Sequence, residues 1–165
     1  MLEFLIRSAL IGAGATLVID LWALVMRRAV GWASLDFALV GRWLGHMAKG
    51  RFRHQRVADA PAISGERALG WFAHYAIGIA LAALLLAIGG LEWARQPTFS
   101  LALGFGLVSV ALPFLILQPA LGAGIAASRT PRPDLARLRS VATHLWFGAG
   151  LYLAALLTAR LWPVA

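Results

Sequence analysis

The chain has no cysteine among its 165 residues, and that excludes disulfides, CxxC metal sites and thiol chemistry. Charge is almost as scarce: 13% of the residues are charged and only seven of them are acidic. A soluble domain carries about 25% charged residues, enough to cover its surface with water-seeking groups. What fills the gap is apolar: 61% hydrophobic residues and a mean hydropathy of +0.77. The composition is that of an integral membrane protein. At this length it allows one compact bundle and no separate soluble domain.

The apolar residues fall into four runs long enough to cross the hydrocarbon, which takes about 20 helical residues. They span residues 4–26, 69–91, 99–127 and 141–162, so the expected fold class is an all-α membrane protein with four transmembrane helices. The N-terminal run is read as the first span and not as a signal peptide, because Glu3 stands where that segment should be positive and Arg7 interrupts the apolar start. Tryptophans agree with these ends. Trp93 and Trp162 mark one surface, and Trp32, Trp71 and Trp146 the other.

The net charge of +8 comes from 15 lysines and arginines against seven acids. They flank the apolar spans and do not form a basic face interleaved with aromatics, which argues against nucleic acid as a partner. Eight of them (Arg27, Arg28, Arg42, Lys49, Arg51, Arg53, Arg56 and Arg67) lie in the connection 27–68, and four (Arg129, Arg132, Arg137 and Arg139) in the connection 128–140. Only Arg7, Arg95 and Arg160 remain for the opposite side. The positive-inside rule then puts both basic loops in the cytoplasm and both termini outside, in an inner membrane. Anionic lipid headgroups are the partners expected at those loops. A bundle this small also suits a homo-oligomer or a membrane partner.

The first loop is patterned. Ser34 can cap a short helix running to Met47, with Leu35, Leu39, Trp43 and Met47 at four-residue intervals. Such an amphipathic helix would lie in the interface, with Arg42 reaching phosphate and Gly41 and Gly45 allowing close approach to a span. His46 and His54 follow on the same side, and residues 49–56 read as a basic hairpin facing lipid.

Inside the spans, Asp20, His74 and His144 each stand seven residues from an arginine, Arg27, Arg67 and Arg137 respectively. At 1.5 Å rise per residue they share a layer about 10 Å below the basic surface. An ionisable group at that depth is a functional-site candidate by default. Glu66, Gly70, His74 and Gly78 form one four-residue stripe, Ser140, His144, Gly148 and Tyr152 a second, and Gly12, Thr16 and Asp20 a third. Small residues on those stripes aim the polar groups into the bundle. Pro113 and Pro119 free the carbonyls of Ser109 and Leu115 beside Gln118.

Several chemistries fit this layer. Asp20, His74 and His144 are a carboxylate and two imidazoles, a ligand set for divalent iron, zinc or manganese, with Glu66, His54 or Gln118 as additional groups. No ExxH or HxxxH spacing supports a metal. The same groups can bind an ion, a proton or a small polar ligand in a transport-like role. His74 and His144 can be drawn as axial haem ligands. Against all of these stands a structural role, in which the polar groups hydrogen-bond across helices and the chain is a non-catalytic or accessory membrane subunit. Catalysis has little to rest on, since Ser140 is a weak nucleophile candidate and Glu66 is open to pairing with Arg67, Arg42 or Arg53.

The runs VGRWLGHMAKGRFRH (Val40 to His54), GERALGWFAHYAIG (Gly65 to Gly78) and LQPALGAGIAAS (Leu117 to Ser128) carry a family resemblance. So do ATLVIDLW (Ala15 to Trp22) and THLWFGAGLY (Thr143 to Tyr152). Together they resemble a bacterial multi-pass family known only as domain of unknown function 2938. The resemblance implies an inner-membrane protein and transfers no catalytic, cofactor or ligand residue.

Overall fold

The computed structural model describes residues 1–162, and among them the regular elements are all helical. Helix α1 covers Leu2–Val30, α2 Phe37–Met47, α3 Glu66–Arg95, α4 Phe99–Ser109, α5 Gln118–Leu121 and α6 Pro133–Leu161. Four helical stretches are long and apolar enough to cross a membrane: Leu2–Val30, Glu66–Arg95, Phe99–Leu121 and Pro133–Leu161. The fold is therefore all-α, with four span-length helices and the shorter α2.

Helix ends follow local chemistry. Gly31 closes α1 in the left-handed conformation (φ 67°), its N–H bonding back to the Met26 carbonyl. The third span is not uniform. Pro113 opens a π-helical turn, Pro113–Leu117, in which the Gln118 N–H reaches back five residues to the Pro113 carbonyl. Helix then ends at Leu121 and not at 127, because Gly122 turns left-handed (φ 98°) with the Gln55 carbonyl where a side chain would be. Residues Ile125–Ala127 form only a short 3-10 turn.

The contacts divide the chain into two compact units. The first takes Met1–Ser34, Tyr75–Ser109 and the C-terminal part from Ala142. Its core is Ile11, Ala15, Ala82, Leu85, Leu86, Trp93, Ala94, Ala102, Phe147, Leu151 and Ala155. Helices meet here backbone to backbone at glycine. A Cβ on Gly148 would stand 2.7 Å from the Ala102 carbonyl oxygen, one on Gly106 2.6 Å from Gly148 Cα, and one on Gly12 against the Ile79 backbone. Where lipid removes the hydrophobic drive between helices, such close contact supplies the packing energy. Leu10, Leu17, Leu21 and Val25 form the exposed apolar face of α1, as a lipid-facing helix requires.

The second unit takes Leu35–His74 and Val110–Val141. Here the Asp36 carboxylate, and not the Ser34 hydroxyl, caps α2, accepting from the Ala38 N–H at 2.9 Å. Leu35 thus precedes the helix and does not belong to its apolar stripe. The face that α2 buries is Val40, Gly41 and His46. Gly41 lies on the Glu66 carbonyl and Gly70 on the Phe37 carbonyl, a reciprocal contact that joins α2 to the start of α3. Gly45 meets the Ile63 side chain, so it serves the loop and not a spanning helix. Segment 49–56 keeps Lys49, Arg51, Phe52, Arg53 and Arg56 exposed and is anchored at two points. Trp43 Nε1 donates to the Phe52 carbonyl at 2.9 Å and the His54 N–H donates to the Ala120 carbonyl at 2.9 Å, which tuck it against α2 and α5.

Replacing Gly148 by valine should lower thermal stability in detergent by about 1–3 kcal/mol through overpacking. Gly104→Ala, where a Cβ meets nothing within 4 Å, should not lower it. A thermal melt of both variants checks this.

Candidate functional site

Several polar residues within the first unit are held in pairs, while the buried Ser8 hydroxyl has no hydrogen-bond partner among the described residues. The Tyr75 hydroxyl donates to Asp20 Oδ2 at 3.0 Å, joining α1 to α3. His144 Nδ1 lies 2.7 Å from Ser109 Oγ, which lies 2.6 Å from the Gly106 carbonyl oxygen. Serine has one proton to give and the carbonyl can only accept. Both bonds are made together when His144 Nδ1–H donates to Ser109 and Ser109 donates to Gly106. That assignment leaves Ser109 oriented as a bridge between helices and not as an activated nucleophile. Thr16 donates in the same manner to its own helix, at the Gly12 carbonyl, 2.8 Å away.

A different cluster lies at the other end of α1. Arg7 is fully buried, yet all three of its nitrogens are engaged: Nε with Glu3 at 2.9 Å, and the two terminal nitrogens with the carbonyls of Ala94 and Trp162. Its guanidinium also lies 5.1 Å from the Trp162 ring centroid. Arg95 takes both oxygens of the same Glu3 carboxylate. One carbonyl in the last turn of α3 and that of the residue just past α6 thus find their donor in one arginine.

Within the second unit His74 packs against aromatics, its ring centroid 4.2 Å from Phe37 and 5.7 Å from Trp71. Gln118 Nε2 donates to Ser140 Oγ at 3.1 Å, and Gln118 Oε1 is buried with no hydrogen-bond partner among the described residues. Glu66 is fully occupied. Arg42 grips it through Nε at 2.9 Å and a terminal nitrogen at 2.8 Å, and the Ile63 N–H adds a third donor at 3.1 Å. Arg42 also donates to the carbonyls of Ala58 and Ala60. Arg42 therefore holds this loop together instead of reaching lipid phosphate. The bidentate bond to Glu66 raises its pKa further above the ordinary guanidinium value.

Beside that ion pair are two imidazoles. His46 Nε2 is 3.0 Å from the Pro61 carbonyl oxygen and His46 Nδ1 is 3.1 Å from His54 Nε2. Both residues are buried. Burial, followed by the nearby charges of Arg51 and His46, pushes the His54 pKa below the ordinary imidazole value.

Among the described residues no three His, Asp or Glu side chains are grouped so as to hold a metal ion. Asp20 and His144 belong to the first unit and His74 to the second. The residues that sequence reasoning missed are Tyr75, Ser109 and the Glu3, Arg7 and Arg95 cluster. Tyr75 was the most visible, as a phenol next to His74 within an apolar run.

The model of the family described as protein of unknown function, domain of unknown function 2938, matches residues 9–158. The chain belongs to this family. No curated protein and no solved structure matches it. The matched range contains Asp20, Glu66, His74, Gln118 and His144, and also Tyr75, Ser109, Arg42, His46 and His54, so every polar pair above except the Arg7 cluster lies wholly within the family's domain.

Arg42→Met should destabilise the second unit by leaving the Glu66 carboxylate with one donor of three. Arg42→Met combined with Glu66→Leu should recover most of that loss, since an apolar pair has no stranded charge. A double-mutant cycle of melting temperatures in detergent measures this.

Proposed function

We propose that this chain is a multi-pass protein of a bacterial inner membrane in which Asp20 and Tyr75 form a polar site for a proton, an ion or a small polar ligand, used in a transport-like role. The observation that carries this reading is the Asp20–Tyr75 hydrogen bond between two helices apolar enough to span a membrane. A carboxylate is expensive in that setting and is kept where it handles charge. A phenol hydroxyl that donates to it can pass on the same proton. His144, with Nδ1–H committed to Ser109, presents Nε2 as a second base in the same unit.

The distribution of basic residues supports an orientation with both arginine-rich loops in the cytoplasm and the termini outside. Arg27, Arg28, Lys49, Arg51 and Arg53 are exposed, which fits contact with anionic lipid headgroups at that surface.

A second reading, a structural or accessory membrane subunit, is favoured by the hydroxyls of Thr16 and Ser109, which turn back onto their own helices at the glycine contacts. The two readings part in one assay. Purified protein is reconstituted into liposomes loaded with a pH-sensitive dye, and proton uptake is followed under an imposed potassium diffusion potential. The site reading expects uptake above that of empty liposomes, lost in Asp20→Asn and reduced in Tyr75→Phe while both variants remain folded. No uptake by the unsubstituted protein, with lowered melting temperature in both variants, supports the structural subunit instead.

A further inference from the structure

The His46 and His54 rings carry an inference that the Asp20 site does not use. Hydrogen-bond bookkeeping fixes their protons. The Pro61 carbonyl can only accept, so His46 Nε2 holds a hydrogen and donates to it. A neutral His46 then has a lone pair on Nδ1, and the proton between the rings belongs to His54 Nε2. Neutral His54 is left with a lone pair on Nδ1. That atom is buried in a residue only 7% exposed and has no hydrogen-bond partner among the described residues. An acceptor in that position is costly unless something is meant to occupy it.

Position is not left to chance. The His54 N–H is tied to the Ala120 carbonyl at 2.9 Å, and Trp43 fixes Phe52 two residues earlier. His46 sits on the buried face of α2. The charged groups facing the pair are Arg51 beside His54, and Glu66 with its partner Arg42 beside His46. Helix α5, which His54 meets through Ala120, has no titratable residue.

We propose that His46 and His54 form a proton-binding site that takes up one proton per chain at His54 Nδ1 and shares it between the two rings. The proton comes from a hydronium ion in the adjoining water: its O–H bond breaks as the N–H bond forms at the His54 Nδ1 lone pair, and a water molecule is left. The hydrogen on His54 Nε2 can then pass along the 3.1 Å hydrogen bond to His46 Nδ1, one N–H bond breaking as the other forms. In the second form His46 is the imidazolium, both its N–H groups are bonded, and its charge faces the Glu66 carboxylate. In the first form the charge stays near Arg51, which opposes it and so favours the form with the charge on His46. This site lies outside the four spans and stands or falls independently of the Asp20 reading.

The test is nitrogen NMR on the full chain in lipid nanodiscs with 15N-labelled histidine. At pH 8 both rings should carry hydrogen on Nε2 only, His54 Nδ1 should resonate as a bare lone-pair nitrogen, and a scalar coupling should cross the hydrogen bond between His54 Nε2 and His46 Nδ1. As pH falls, the two rings should shift together with one shared midpoint. His46→Gln and His54→Gln assign the signals. If either variant fails to fold, the coupling across the bond identifies the pair in the unsubstituted protein. Hydrogen on His54 Nδ1 at pH 8, absence of that coupling, or two separate midpoints would overturn the proposal.

Discussion

A polar group placed among apolar helices is costly unless it finds a partner inside the chain, because lipid offers none. That constraint explains more of the structure than the hydrophobic core does. Helix backbones touch at Gly12, Gly106 and Gly148, and contact that close brings short hydroxyls within reach of carbonyls and neighbouring rings. Thr16 and Ser109 are satisfied within one turn of their own helices, and Ser109 thereby becomes a fixed acceptor for His144. Asp20 draws the Tyr75 hydroxyl across the contact between α1 and α3. Arg7 applies the same principle at a helix end, where a buried guanidinium meets carbonyls that the helix itself cannot bond.

In the second unit the Arg42–Glu66 ion pair has a wide reach. Arg42 stands on α2, Glu66 opens α3, and the carbonyls of Ala58 and Ala60 belong to the loop between them, so one guanidinium ties three segments together. Gly41 and Gly70 let the two helices come near enough for that grip. The imidazole pair depends on this frame, because Pro61, which accepts from His46, lies in the loop that Arg42 holds. Chemistry in this unit is therefore positional: the same histidines without the ion pair would be solvated side chains on a basic loop.

Much of this was legible in one dimension and some of it was not. Hydropathy located the four spans because a helix must stay apolar for its whole crossing, and that leaves a signal at every residue. The end of the third span was misplaced since Gly122 and the proline-induced π turn interrupt helix geometry inside a run that stays apolar to Ala127. Four-residue stripes identified Asp20 and His144 as polar positions but could not name Tyr75 or Ser109, whose partners come from another helix at an unrelated sequence distance. Glu66 is open to pairing with Arg67, Arg42 or Arg53 in the sequence, and only the fold selects Arg42. His46 and His54 looked like part of a charged surface; eight residues apart across an irregular turn, their contact follows from no period.

The proposed topology has four crossings, with the loops around residues 53 and 132 on one side of the membrane and the turn near residue 96 on the other. The natural lack of cysteine makes this directly measurable. Single cysteines at Arg53, Arg132 and Gln96, all exposed positions, can be probed in intact cells with a membrane-impermeant maleimide. The account predicts labelling at 96 from outside, and at 53 and 132 only after the membrane is opened. Labelling of 53 and 132 from opposite sides, or of all three from the same side, would contradict it.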